Sequence, residues 1–428
     1  MLQWSTNLVE GGEYRKRLIA SDRGSRFDVR RQEILNAAAS LINRHGLRDA
    51  TLAVIASEIG LNLKSLRYYF KRREDLVAAA FMHSVDLHRE LFESVLEIEP
   101  FEERIRHLAH GYFQLKARVA RGDVPEFVHF GDLRALIDPY RASVGSSYNN
   151  LFRLIRKLFR PKEGVWTEEQ RSANAHLLIS QLLWSVVWID GYVPEDYPRV
   201  ADRLADVLLN GMAARPLNFA FSEDLLPSPF EQSERLSQET FLQTATELIN
   251  DKGYRGASVD QITATLEVTK GAFYHHNETR DGLVISCFER TFGIIRKAQD
   301  RAMAGEMNGA AHVCAAAVSL VSRQMLPEGS LLRTSALTAI ALDLRQEMAR
   351  RMSLVTLRFS DMLNDGITDR SVRACDMRIA SEAVTAMINS AQELQRWVPS
   401  ATVENAAELY VRPLLYGFLA TSNGSAPT

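Results

Sequence analysis

Cysteine is scarce: only Cys287, Cys314 and Cys375 occur in 428 residues. They share no paired spacing and neighbour no histidine cluster, which excludes a disulfide framework and a cysteine-ligated zinc site. Buried thiols in a reducing compartment are implied. Long apolar runs are also missing. No stretch reaches the ~18 uninterrupted apolar residues of a membrane span. The best candidate, His176 to Ile189, is broken by Ser180, Gln181 and Ser185. The start, MLQWSTNLVEGGEYRKRLIA, lacks the compact apolar core of a signal peptide. A soluble, cytoplasmic protein without membrane contact is expected. An excess of one charge is lacking too, since the net charge is −2. That balance excludes a polycation but can hide a local basic face. No phosphate loop, nucleophile elbow, dinucleotide fingerprint or metal-ligand spacing is visible, and His107, His110 and His129 have no ligating partners nearby. No enzymatic activity, cofactor or metal is expected.

What the chain does contain is itself, twice. Its length suits two or three domains, and 46% hydrophobic with 24% charged residues is ordinary globular composition. Shifted by 207 positions, Ile34-Leu35-Asn36-Ala37-Ala38 falls on Phe241-Leu242-Gln243-Thr244-Ala245. In the same register Leu41-Ile42-Asn43 falls on Leu248-Ile249-Asn250, Gly46 on Gly253, Ile55 on Ile262 and Leu76 on Leu283. Later, Leu208-Leu209-Asn210-Gly211 matches Leu414-Leu415-Tyr416-Gly417 at an offset of 206. Between the copies, Pro216, Pro227 and Pro229 interrupt helical periodicity and mark a connector.

Each copy opens with three short helices. Ile34, Ala38, Leu41 and Ile42, like Phe241, Ala245, Leu248 and Ile249, form amphipathic stripes ended by Gly46 and Gly253. Thr51 and Ser258 are natural N-caps for a second helix, and Gln261 completes a capping box with Ser258. A turn follows, Gly60-Leu61-Asn62 or Glu267-Val268-Thr269, with Asn62 and Thr269 capping a third helix. Leu63, Leu66 and Phe70 are its expected anchors in the first copy and Phe273 in the second. Two short helices around a tight turn form a helix-turn-helix.

The stretch from Gly60 to Leu76, with Tyr69-Phe70-Lys71 at the end of its third helix, resembles the signature of the TetR family. Val268-Thr269-Lys270-Gly271-Ala272-Phe273-Tyr274-His275-His276 is similar to it as well. The likeness covers about fifty residues per copy. Both copies depart from the pattern: Arg67 replaces the usual tyrosine, while Glu267 and Asn277 replace the usual glycine and phenylalanine. The resemblance implies an all-α chain of two tandem units, each a three-helix DNA-binding head followed by a helical body. It further implies a transcriptional regulator, a repressor in most members, that binds an operator in double-stranded DNA and is released by a small apolar effector.

By that resemblance Asn62, Lys64, Ser65, Arg67 and Tyr68 of the first copy face the major groove, as do Thr269, Lys270, Gly271, Tyr274 and His275 of the second. Thr51, Arg73, Ser258, Tyr274 and Arg280 fall where the family holds phosphates. The two copies differ in charge. Residues 28–76 carry nine basic and six acidic side chains, residues 235–283 five and seven. Because phosphate neutralisation dominates affinity for DNA, the first copy is the expected stronger binder. Arg23, Arg26, Arg30 and Arg31 precede it as a basic arm suited to a minor groove, or to solvent.

The expected layout is an arm (1–27), a first head (28–76) and body (77–215), a linker (216–233), a second head (234–283) and body (284–420), and a tail (421–428). Family bodies pair through their last two helices, which here implies a pseudo-dimer within one chain; two chains pairing further remains open. Tyr112, Phe127, Phe130, Trp184 and Trp188 are candidate pocket aromatics, though such spacing also suits plain core. The alternative reading is a ligand- or protein-binding regulatory module in which one or both heads no longer bind DNA.

Overall fold

The computed structural model describes residues 24–160, 166–221, 233–256, 259–265 and 279–420. Among these no strand forms; one isolated bridge pairs Ala213 with Val372. In the first half the helices are α1 (Gly24–Asp49), α2 (Leu52–Glu58), α3 (Leu63–Tyr69), α4 (Arg73–Val95), α5 (Phe101–Ala120), α6 (Tyr140–Arg156), α7 (Glu168–Trp184) and α8 (Tyr197–Asn210). In the second they are α9 (Ser233–Gly256), α10 (Val259–Thr265), α11 (Arg280–Met303), α12 (Gly309–Arg323), α13 (Leu342–Thr368), α14 (Met377–Ser390), α15 (Leu394–Trp397) and α16 (Arg412–Tyr416). A π-helical turn, Ala407–Val411, runs into α16. The chain divides into two compact units, the described residues of Met1–Ser84 with Pro125–Val144, and Val85–Val124 with Gly145–Thr428.

Several expected helices start or stop elsewhere, each for a local reason. The apolar periodicity of Leu331–Leu363 suggests one helix, but the segment is an extended stretch, a 3₁₀ turn at Thr334–Ala339 and then α13. The apolar run to Ile189 leaves α-geometry at Trp184 and continues as two short 3₁₀ turns. A capping box fixes the start of α7, where Thr167 accepts from the Gln170 amide and Gln170 accepts in return. Gly46 and Gly253 break α1 and α9 at matching places, with φ of 75° and 69°.

Within the larger unit, α7 of the first half lies against α14 of the second. Gln181 donates to the Ala383 carbonyl at 3.0 Å, and Trp184 Nε1 donates to Glu382 at 2.9 Å. His176 stacks on Tyr410 with ring centres 5.3 Å apart, and its Nε2 lies 3.0 Å from the Ser390 carbonyl. Burial holds this imidazole below its ordinary pKa and pushes the Glu382 carboxyl up. Phe152 stacks on Trp397 at 3.7 Å. Arg104, fully buried, is satisfied by the Leu158 and Ile98 carbonyls and by Glu99, as a buried cation requires. Burial also pushes the thiols up, to about 12 at Cys287 and Cys314 and about 11 at Cys375.

The repeat read at offset 206 marks a close backbone crossing in this unit. Gly211 and Gly417 end α8 and α16 with φ of 65° and 85°. The chain ends then exchange bonds: Ala213 N donates to the Leu415 carbonyl at 2.8 Å, and Leu419 N to the Leu209 carbonyl at 3.2 Å. A Cβ on Gly211 would lie 2.3 Å from the Leu415 carbonyl oxygen, and one on Gly417 2.2 Å from that of Leu209. These backbone angles are nearly exclusive to glycine, at a cost of about 1–3 kcal/mol for other residues. Gly211→Ala or Gly417→Ala should therefore lower stability in urea unfolding by at least about 2 kcal/mol. An unchanged midpoint in either variant would show that the crossing relaxes freely.

Candidate nucleic-acid interface

The first head is locked by its caps. Thr51 Oγ1 accepts from Val54 N at 3.2 Å and opens α2; Asn62 Oδ1 accepts from Ser65 N at 2.8 Å and opens α3. Ile55, Leu66 and Phe70 are buried beneath them. Leu63, expected as an anchor, is instead 36% exposed. A two-turn helix can sink one turn into the core, and here that is the C-terminal one. Its N-terminal turn stands clear.

The outward face of α3 and its cap present the polar set. Asn62, Lys64, Arg67 and Tyr68 are exposed, with Tyr68 at 76%, and Ser65 is half-buried. Tyr68 does not hang loose: its ring meets Phe27 edge-on at 5.9 Å and Tyr69 at 5.4 Å, while Phe27 stacks on Tyr69 at 4.8 Å. These contacts aim an aromatic donor away from the core. Arg73 is largely engaged within the domain, its Nε donating to the Ala50 carbonyl at 2.9 Å. It thereby ties the start of α4 to the turn that carries Thr51.

The basic arm takes a different form from the one expected. Arg26, Arg30 and Arg31 belong to α1, which begins at Gly24, and Arg23 lies outside the described residues. Arg30 pairs with Glu33, and the Arg31 guanidinium lies over the Phe70 ring at 5.2 Å. Four charges within nine residues read as a tail, but Phe27, Val29 and Ile34 supply enough apolar spacing to extend the helix.

The second head is described at α9 and α10, where Phe241, Ala245, Ile249 and Ile262 are buried as the periodicity requires, while Leu248 of the same stripe is only half-buried. Ser258, Thr269, Lys270, Gly271, Tyr274 and His275 lie outside the described residues. Arg280 opens α11 but its side chain lies outside them too. Of the candidate pocket aromatics, Tyr112, Trp184 and Trp188 belong to the larger unit, Phe127 and Phe130 to the smaller, and all five are buried. Burial pushes the Tyr112 phenol up to about 12, and Trp184 is occupied by Glu382. A cavity in the second body has other walls: Thr291 and Ile295 on α11, Leu331 and Leu332, and Val355 and Phe359 on α13.

Sequence reasoning overlooked a pair of clamps. Asn43 donates to the Phe127 carbonyl at 2.8 Å and accepts from His129 N at 3.0 Å, while Ser84 Oγ accepts from Val128 N at 2.8 Å. Asn43 was visible as part of the repeated Leu-Ile-Asn, yet its bonding partner, a loop some 84 residues away, has no local signature.

Beside this clamp, Tyr140 donates to Asp75 at 2.5 Å and Arg72 N donates to the same carboxylate at 3.1 Å. The Tyr140 bond first, then those from Arg72, hold Asp75 below its ordinary pKa. A depressed carboxylate stabilises the fold above its unfolded pKa, and that stabilisation fades as pH falls through the folded value. Tyr140→Phe should raise the Asp75 pKa towards the ordinary range and move the acid unfolding of this unit to higher pH. Carboxyl titration by NMR reads the change; an unmoved Asp75 would contradict it.

The family model for bacterial regulatory proteins of the tetR family matches residues 34–80 and again 241–287. The chain is 35% identical over 66 residues to the transposon Tn10 TetC protein of Escherichia coli, covering 14% of this chain and 34% of that one. It is 31% identical over 86 residues to the HTH-type nicotine-responsive transcriptional repressor HdnoR of Paenarthrobacter nicotinovorans, covering 20% and 43%. The match thus spans roughly a third to two-fifths of these relatives' own length. The HTH-type transcriptional regulator BetI of Cronobacter sakazakii is 28% identical over 169 residues, 36% of this chain and 78% of that one. Among solved structures, the TetR family transcriptional regulator PfmR of Thermus thermophilus is 18% identical, with 42% of this chain and 98% of that one covered at a TM-score of 0.35. No helix among the described residues is long and apolar enough to cross a membrane. The two matched segments stand 207 residues apart, as the internal repeat does, and each is similar to the bacterial regulatory proteins of the tetR family, so the chain carries two tetR-like segments in tandem.

Proposed function

We propose that the chain is a sequence-specific DNA-binding repressor whose two heads, residues 28–76 and 234–283, act from one chain. The observation that carries this reading is the first head's α3, cap-locked at Asn62 and presenting Lys64, Arg67 and Tyr68 to solvent. Lys64 and Arg67 supply donors for guanine edges or phosphates, Asn62 and Ser65 short polar contacts, and Thr51 with Arg73 the flanking backbone contacts. In the second head Thr269, Lys270, Gly271, Tyr274 and His275 take the equivalent places, with Ser258 and Arg280 at phosphates. The bodies pair within the chain as a pseudo-dimer, a reading supported by the α7–α14 contacts and the reciprocal bonds at Gly211 and Gly417. Fused heads differ in sequence, so the operator need not be palindromic. A small apolar effector in the bodies releases the DNA, with Tyr112, Phe127, Phe130, Trp184 and Trp188 among its candidate contacts.

The net charges of the two heads favour one refinement, in which the first head supplies most of the affinity. Selection of bound DNA from a random pool, followed by mobility shifts at two salt concentrations, tests the proposal. Lys64→Glu and Arg67→Glu should each weaken binding by roughly 5- to 150-fold with helicity unchanged, and binding should fall steeply with salt. Failure to select any duplex that is bound in a salt-sensitive manner would overturn the DNA role and leave a ligand- or protein-binding module. The mass of the complex should correspond to one chain per operator.

A further inference from the structure

In the first head the exposed end of α3 is held from outside the helix-turn-helix. Phe27, in the first turn of α1, stacks on Tyr69 with ring centres 4.8 Å apart and an interplanar angle of 24°. The Tyr68 ring stands nearly perpendicular to both, at 84° to Phe27 and 88° to Tyr69. One turn further along α1, the Arg31 guanidinium lies over the Phe70 ring. Residues four apart share a helix face, so one face of α1 meets three consecutive aromatic side chains, those of Tyr68, Tyr69 and the C-cap Phe70. An exposed side chain without neighbours samples several staggered wells. Tyr68 is 76% exposed, yet its two ring contacts narrow that choice.

The second copy lacks every side chain of this cluster. At the shift of 207, Glu234 stands for Phe27, Gln238 for Arg31, and His275, His276 and Asn277 for Tyr68, Tyr69 and Phe70. The core positions of the same repeat stay apolar, with Ile34 answered by Phe241 and Ile55 by Ile262. Phe27 is itself 38% exposed, so filling the core does not account for its ring. We propose that Phe27 is a positioning residue for DNA reading. It fixes the Tyr68 ring against one base step and so gives the half-site under the first head a base preference that the other half-site lacks. A ring released from Phe27 would spread its contacts over several rotamers and discriminate less. Overall affinity, carried largely by phosphate contacts, would change little. The inference rests on the DNA-binding reading above and adds a residue outside the helix-turn-helix that sets its specificity.

The test uses the full chain and reads base frequencies at each position of duplexes selected from a random pool. Tyr68→Ala should flatten the preference at one position of one half-site. Phe27→Ala should weaken it there by about 2- to 10-fold, the worth of one aromatic pair, and leave the other positions as they are. Phe27→Tyr, which keeps a ring, should retain the preference. F27A and Y68A together should do no more than Y68A alone, because the one residue acts through the other. Phe27→Leu replaces F27A should that variant not fold. A second measurement needs no DNA: the Tyr68 ring resonance in tyrosine-labelled protein, identified by its loss in Y68A, should move in F27A. The DNA role and this inference can therefore fail separately, since a chain that selects no duplex still shows whether Phe27 sets the Tyr68 ring. An unmoved Tyr68 resonance overturns the proposal. So does a uniform loss of affinity in F27A with unchanged base frequencies, which is what a merely structural role produces.

Discussion

A primary amide can donate to a carbonyl and accept from an N–H at the same time, which lets it stand in for one rung of a sheet. Asn43 and Asn250 use that property to hold a strip of extended backbone against an all-helical scaffold. Without the amide, the carbonyl of Phe127 or Leu331 and the amide of His129 or Arg333 would face helices whose own backbone groups are already paired. Burying such groups unpaired costs about 1–3 kcal/mol each. The connection between the second and third body helices can therefore cross the head only where these side chains receive it. The placement of the 3₁₀ turns that follow, Phe130–Ala135 and Thr334–Ala339, depends on it.

The periodicity, the caps at Thr51 and Asn62, the breaks at Gly46 and Gly253 and the repeat itself were legible because each is a local rule. A cap needs one side chain and a backbone three residues away. What stayed hidden was decided by tertiary contacts. Leu63 matched the apolar stripe, yet a short helix sinks only one turn. Arg26, Arg30 and Arg31 looked like an arm because their charge was counted while Phe27, Val29 and their future partners Tyr69 and Phe70 were not. Leu331-Leu332 read as helix because apolar runs do not distinguish a buried extended strip from a buried helix. Of the site, the exposure of Lys64, Arg67 and Tyr68 could be anticipated from their spacing. The occupation of Arg73 by the Ala50 carbonyl could not.

The two halves keep one architecture with different chemistry at matching positions. Gln32 Nε2 lies 2.9 Å from His83 Nε2 where α1 meets α4. At the positions 207 residues later, Arg290 donates to Glu239 at 2.7 Å and also to the Ser330 carbonyl at 2.9 Å. The first contact is a hydrogen bond in which the Gln32 amide N–H donates and the His83 ring nitrogen accepts. The second is a largely buried ion pair, in which loss of either partner strands the other charge. The second head is thereby bound to its strip by a contact that tolerates less change.

The second clamp also reaches further. Asn250 donates to Gln392 Oε1 at 2.7 Å, Arg333 pairs with Glu393 at 2.6 Å, and Thr334 N donates to Asn389 at 3.2 Å. These partners stand at the end of α14 or just beyond it, next to Ser390, whose carbonyl meets His176 of α7. The segment 389–393 thus receives hydrogen bonds from α9 of the second head and from the strip, and at Ser390 meets α7 of the first body. Asn43 instead turns its remaining proton to Glu126 of its own strip, at 2.9 Å. In a symmetric pair of separate chains the two clamps would be identical. Fusion removes that constraint, and the difference between Glu126 and Gln392 as the third partner is where the two halves have used the freedom. The asymmetry of net charge between the heads and this asymmetry of attachment run together: the more basic head carries the simpler clamp, and the less basic one is tied into the shared core.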